Sequence, residues 1–148
     1  MQARDVVAIE SVDDIAACWP AFSILRPALD FGRYAAQVQR QRQQGYRIIA
    51  TPADGRMVSV AGFRCLEYLF SGKTLYIDDL STLAEYRGRG YASALLDWIF
   101  AHAAALDCDA VHLDSGHTRH SAHRLYLDKG FRITSHHFSK SLRADPGS

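Results

Sequence analysis

The chain has 148 residues, 48% of them hydrophobic and 22% charged, with a formal net charge of +1 at pH 7. That length suits one domain with a buried core, and the near-neutral balance excludes a general nucleic-acid or polybasic membrane binder. No apolar run approaches the roughly 20 residues that span a bilayer, and Arg4, Asp5 and Glu10 interrupt the early apolar residues, so neither a membrane helix nor a signal peptide is expected. Cys18, Cys65 and Cys108 lack metal-ligand spacing and read as reduced structural thiols of a cytoplasmic protein.

In chain order, residues 6–9 form a short predicted strand. Ser11 or Asp13 caps a helix through Ile15, Ala16, Trp19 and Phe22 that Pro20 limits or bends. After a loop at 25–31, Phe31, Tyr34, Ala35 and Val38 mark a second helix ended by Gly45. Its outer residues Arg33, Gln37, Arg40, Gln41 and Gln44, with Arg42 on the flank, read as a solvated face. Residues 46–51 alternate as a strand, 52–55 form a turn, and 57–70 form a long strand irregular at Gly62. Ser71, Gly72 and Lys73 turn the chain into a strand over 75–83. A basic turn and a helix over 91–106 follow, with Tyr91, Leu95, Trp98, Ile99, His102 and Leu106 at helical spacing. The remainder reads as a strand over 109–114, a loop, a short helix from His120 or Ser121, a last strand over 131–138, and a frayed tail from 143. Three strands joined by short turns, then a strand–helix–strand step, predict an α/β fold. Its sheet is mixed and twisted, with an antiparallel N-terminal meander and about four flanking helices. The domain is expected to span 1–142, with no second domain.

The most informative stretch is Arg87-Gly88-Arg89-Gly90-Tyr91-Ala92, between strand and helix. The first N–H groups of a helix lack partners, the helix dipole is positive there, and glycine admits a ligand close to the backbone. With two arginines added, a phosphate or pyrophosphate is the natural guest. The dinucleotide fingerprint fails because Ser93 stands at its third glycine, and a P-loop ending at Thr74 would need glycine at Glu67.

Arg87, Gly90 and Ala92 do fill the pattern Arg/Gln-x-x-Gly-x-Gly/Ala, which resembles the signature of the GNAT superfamily of acetyl-CoA-dependent N-acetyltransferases. Downstream, Ala122-His123-Arg124-Leu125-Tyr126-Leu127-Asp128-Lys129-Gly130-Phe131 is similar to that family's second motif. Upstream, Ile77-Asp78-Asp79-Leu80 is similar to the strand before the signature, so the resemblance covers about residues 75–138. It implies central strands that splay at the cosubstrate, with the backbone of Leu80, Ser81 and Thr82 pairing with the pantetheine arm. An N–H near Leu80 or Thr82 would polarise the thioester carbonyl. Arg87, Gly88, Arg89, Gly90, Tyr91, Ala92 and Ser93 would hold the pyrophosphate of acetyl-CoA. Tyr126 matches the tyrosine that protonates the departing thiolate, the alternative being a packed core tyrosine. Arg119 stands where the family often has Asn, so it would meet either a phosphate or the acceptor.

The implied reaction is direct transfer of acetyl to a primary amine in a ternary complex. The acceptor is open among small amines, peptide N-termini, lysine and aminoglycosides, and the N-terminal helices would form its wall. Asp78 and Asp79 point to opposite faces of a strand, so at most one reaches a cleft. Glu67, His112 and His117 are further candidates for a base. His117, His120 and His123 with Asp114, or His136 with His137, offer metal ligands whose spacing does not converge, so no metal is expected. His102 reads as a core histidine, and Trp19, Phe22, Phe31 and Tyr34 as core that could shape the acceptor pocket. The competing functions are an acyl-CoA-binding sensor without turnover and a nucleotide-binding module. A homodimer is compatible with the family.

Overall fold

The computed structural model describes residues 5–143, which fall into two compact units divided between Leu113 and Asp114. The first carries a five-stranded sheet in the order β1-β2-β3-β4-β5. Strands β1 (Val7–Ile9), β2 (Arg47–Ala53), β3 (Arg56–Tyr68) and β4 (Gly72–Thr82) run antiparallel, and β5 (Ala110–Leu113) joins β4 in parallel. The mixed sheet expected from sequence is therefore present. Helices α1 (Val12–Ala17), α2 (Trp19–Leu25) and α3 (Phe31–Gln43) connect β1 to β2. A 3₁₀ turn (Ala84–Tyr86) and α4 (Tyr91–Ala105) connect β4 to β5. The second unit holds α5 (His120–Asp128), making five α-helices where about four were expected.

Local chemistry sets these boundaries. Ser11 Oγ accepts from the Asp14 N–H at 3.0 Å, and Asp30 Oδ1 accepts from the Arg33 N–H at 2.8 Å, capping α1 and α3. The single helix expected over 12–22 is two helices broken at Cys18, with Pro20 tolerated in the first turn of α2. Helix α3 ends in a double hydrogen-bond lock: Gly45 at φ +96° donates to Arg42 O at 3.1 Å, and Tyr46 to Gln41 O at 3.0 Å. The expected four-residue turn at 52–55 is tighter. Asp54 and Gly55, both at positive φ, close a two-residue hairpin, while Pro52 and Ala53 continue β2 past a register shift at Thr51/Pro52. The next hairpin turns at residues 69–71, since Gly72 already pairs with Tyr68.

Strand side chains alternate between two covers. Ile48, Ala50, Val58 and Val60 join a core with Ile15, Ala21, Phe22 and Tyr34 from the N-terminal helices. Phe63 packs on Trp98 and His102 of α4, with ring centroids 6.0 and 5.7 Å away. His102, stacked 4.7 Å from Trp98, is a packing histidine. Between Gly62 and Phe63 the β3–β4 register slips so that Asp78 is an extra residue, a bulge that breaks the alternation of β4.

One expectation fails. Residues 131–138 form no strand, and Ile133 and Phe138 are 80% and 92% exposed. The β-like pattern lapses at Ser135, His136 and His137, which place polar groups on both faces, so no continuous apolar face drives pairing. Positions 144–148 of the expected tail lie outside the described residues. No helix among the described residues is long and apolar enough to cross a membrane.

Candidate active site

The glycine turn is built as an anion seat. Gly88 and Gly90 lie at φ +74° and +87°, and nothing stands within 4 Å of where a Cβ would sit on either, so the turn is both left-handed and open. Gly90 precedes α4 without any side-chain cap, leaving the first N–H groups of a 15-residue helix to an incoming acceptor. Arg87 Nε donates to Thr82 O at 3.2 Å, tying the turn to the end of β4. The guanidinium carbons of Arg89 and Arg56 lie 5.3 and 5.9 Å from the Tyr86 ring centroid, and Tyr86 Oη donates to Asp54 Oδ2 at 2.6 Å. The β2–β3 hairpin tip thus braces the 3₁₀ turn that precedes the seat.

Beside it, the sheet opens. Parallel pairing of β4 with β5 spans Thr74↔Ala110 to Ile77↔Leu113 and stops there. From Asp78 to Thr82, β4 pairs only with β3 among the described strands, so one backbone edge of Leu80, Ser81 and Thr82 is left without a ladder. The Ser81 hydroxyl faces away from that edge, donating to Ala21 O at 2.7 Å. The β4–β5 pairing thus ends just before the Asp78 bulge, where β5 itself ends.

The bulge also divides the two carboxylates. Asp78 pairs with Arg64, Nη2 to Oδ2 at 2.6 Å. Burial pushes its carboxyl above the ordinary range, and the Arg64 hydrogen bonds oppose that in part. Asp79 lines a cleft of about 100 Å³. Its Oδ1 accepts from Arg26 Nε and Nη2 at 3.0 and 2.7 Å, and its Oδ2 from Tyr46 Oη at 2.6 Å. Burial, and next the Asp79 carboxylate, raise the Tyr46 hydroxyl well above its usual value, so it stays a proton donor at neutral pH. Phe22, Leu29, Tyr34 and Val38 form the apolar wall of the cleft, and Gln37 and Gln41 of α3 its far polar wall.

Sequence reasoning offered Phe22 and Tyr34 for a pocket, read Gln37 and Gln41 as a solvated face, and did not single out Arg26 or Tyr46. Gln37 and Gln41 face the cleft, bonded Nε2 to Oε1 at 2.8 Å, and Arg42 Nη1 reaches Glu10 O at 2.7 Å, so the α3 face is only partly solvated. Of the aromatic set, Phe22 and Tyr34 line the cleft, whereas Trp19 and Phe31 pack behind Tyr34 at centroid distances of 4.8 and 6.3 Å. Glu67 pairs with Lys73, nine residues before Thr82 along β4, which at strand rise is about 30 Å away. His112 pairs with Tyr76 and packs on Phe70, so it too sits toward the other end of the strand.

In the second unit, the Tyr126–Phe131 motif has a physical explanation. Gly130, at φ +95°, donates to Leu127 O at 3.1 Å and Phe131 to Tyr126 O at 3.0 Å, a double lock like that of α3. The rings of Tyr126 and Phe131 meet edge-on at 5.9 Å. Tyr126 is buried at 7% exposure; burial raises its hydroxyl above the usual value, opposed by the charge of Arg119. Arg119 itself is exposed at the head of α5. The histidines do not gather: His123 Nε2 meets Gly116 O at 2.8 Å, His120 lies edge-on to His123, and His137 lies 3.7 Å from Asp114. Among the described residues, no three His, Cys, Asp or Glu side chains are grouped to hold a metal.

Comparison with known proteins follows the same outline. A family model described as the acetyltransferase (GNAT) family matches residues 12–131. A Bacillus subtilis (strain 168) protein described as the uncharacterized N-acetyltransferase YhdJ is 32% identical over 136 residues, 90% of this chain and 96% of its own. Among solved structures, a Trypanosoma brucei acetyltransferase superposes with a TM-score of 0.78 at 22% identity, over 93% of this chain and 99% of its own. The ribosomal-protein-alanine N-acetyltransferase of Brucella melitensis biovar Abortus 2308 gives 0.79 at 18% identity, over 95% and 100%. AAC(6')-Iy in complex with the bisubstrate analogue CoA-S-monomethyl-acetylneamine gives 0.82 at 15% identity, over 97% and 100%. At these identities the structural likenesses speak for the fold.

Proposed function

The chain belongs to the GNAT family of acetyltransferases, and we propose that it transfers acetyl from acetyl-CoA to a primary amine seated beside Asp79. The observation that carries this reading is the unpaired edge of β4 beyond Ile77↔Leu113, next to the open glycine turn. A free strand edge and a phosphate seat in one stretch fit a ligand with an amide-bearing arm and a pyrophosphate. Bound acetyl-CoA supplies the acetyl thioester. Main-chain N–H groups of residues 87–93 hold its pyrophosphate, with Arg87 and Arg89 adding charge, and Leu80, Ser81 and Thr82 pair with its arm. A backbone N–H near Leu80 or Thr82 polarises the carbonyl. Asp79 receives the proton of the attacking amine. Asp78, which pairs with Arg64 and does not line the cleft, is given no part. Tyr126, whose hydroxyl is raised by burial and therefore neutral, gives its proton to the departing thiolate. Arg119 supplies positive charge near that step.

Thermal unfolding with acetyl-CoA, ATP and NAD tests the reading. Ligand at a hundred times its dissociation constant adds about 2.7 kcal/mol, which raises the midpoint by about 5–11 °C at about 2–4 °C per kcal/mol. A rise with acetyl-CoA alone is expected. No rise at millimolar acetyl-CoA would overturn it.

A further inference from the structure

The acceptor cleft already contains an ion pair, and its geometry restricts what can replace it. Arg26 Nε and Nη2 both donate to Asp79 Oδ1, at 3.0 and 2.7 Å, while Nη2 also reaches Asp78 O at 3.1 Å. The two side chains are unequal: Arg26 is 48% exposed and Asp79 12%. Asp79 is also held from behind by Tyr46, so Arg26 is the member free to move.

An amine that approaches Asp79 must take the place of this guanidinium. A simple amine would satisfy Asp79 and take from Arg26 its bonds to that carboxylate, leaving it the Asp78 carbonyl and solvent. Removing one partner of a pair costs the other its hydrogen bonds. A zwitterion avoids the cost. Its ammonium replaces Arg26 on Asp79, and its carboxylate replaces Asp79 on Arg26, so one internal pair becomes two pairs to the ligand. Arg26 suits the role because its planar fork grips a carboxylate with two N–H groups. The two charges of the ligand must lie close together, since the side chains they engage are now in contact. Ammonium and carboxylate on the same carbon meet that condition. Opposite, the mutual bond of Gln37 and Gln41 leaves one amide carbonyl and one amide NH₂ for the remainder of the ligand.

We propose, building on the acetyltransferase reading above, that the acceptor is a free α-amino acid, with Arg26 as the residue that selects for its carboxylate.

The experiment measures thiol release from acetyl-CoA by the full chain, using each standard amino acid beside its decarboxylated amine: leucine with isopentylamine, glutamine with 4-aminobutanamide, lysine with cadaverine. Leucinamide and a tripeptide with a free N-terminus complete the panel. At least one amino acid should exceed its amine and amide in kcat/KM by tenfold or more. In Arg26→Gln, kcat/KM should fall at least tenfold further for that amino acid than for its amine. Equal or better turnover of the amines, turnover of the peptide alone, or no amino-acid turnover while acetyl-CoA still raises the melting midpoint would each overturn the proposal and leave acetyl transfer standing. Absence of the acetyl-CoA shift would instead remove the reading beneath it. An equal fall for both substrates in Arg26→Gln would refute the role given to Arg26.

Discussion

Gly62→Ala is a one-methyl perturbation with a large expected consequence. A Cβ at this position would lie 1.7 Å from Tyr46 Oη, 2.3 Å from Cζ and 2.7 Å from Cε1. Tyr46 is buried, locked at its backbone by the Gly45 helix end, and overlaid by Arg64 at 5.4 Å. The ring must shift, and its bond to Asp79 goes with it. Overpacking costs about 1–3 kcal/mol and loss of a hydrogen bond to a charged group about 1.5–3 kcal/mol. A total near 3–5 kcal/mol lowers the melting midpoint by about 6–20 °C at the 2–4 °C per kcal/mol of a domain this size. The sign is itself diagnostic. Without the collision, Ala in a strand would be about 0.5–1 kcal/mol more stable than Gly. Tyr46→Phe alone should cost only the hydrogen bond. In the double variant the two losses should be less than additive, because the same bond is removed twice. Calorimetry on the four proteins decides the matter. A neutral or stabilising Gly62→Ala, or strict additivity, would refute the packing argument.

Tyr126→Phe should lower kcat by about 10²–10⁴-fold, the range for a general acid, while the acetyl-CoA thermal shift persists; unchanged turnover would withdraw the assignment. Because burial raises this hydroxyl above 10.0, opposed by the charge of Arg119, any alkaline loss of rate due to it has its midpoint above pH 10. Gly90→Ala, forced to keep φ +87° with open space around it, should lose about 1–2 kcal/mol of stability and weaken acetyl-CoA binding, as read by calorimetry and ligand titration. A disulfide reagent at pH 8 should modify exposed Cys65 readily and half-buried Cys108 more slowly. It should spare Cys18, whose thiol burial pushes up to about 12, until denaturant is added. Early reaction of Cys18 would contradict its burial.

What the sequence made legible was local in origin. The glycine turn, the Tyr126–Phe131 helix end and the antiparallel meander each depend on residues near one another in the chain. Their signals are helix periodicity, left-handed glycines and strand alternation. The cleft was not legible, because it joins Arg26, Gln37, Tyr46 and Asp79 from four elements, and no spacing rule links them. Gly62 was the available clue: an irregularity foreseen in the strand, whose cause, the Tyr46 ring beneath it, comes from the residue before β2. The choice between Asp78 and Asp79 likewise turned on a bulge that strict alternation does not contain. Residues 131–138 misled for the opposite reason. Their composition favours a strand, and composition does not supply a partner.

The brace formed by Asp54, Tyr86, Arg56 and Arg89 reaches beyond its local contacts. A loop that must be ordered by its ligand loses conformational entropy at the moment of binding, about 1–2 kcal/mol per residue fixed. Here the segment before the phosphate seat is already fixed by a hairpin tip some thirty positions earlier in the chain. That entropy is lost when the protein folds, so capture of the cosubstrate can proceed as association with a rigid surface. On the proposed reading, the grip on a phosphate then depends on a distant hairpin tip, and opening that hairpin would loosen the seat before any strand of the core gives way.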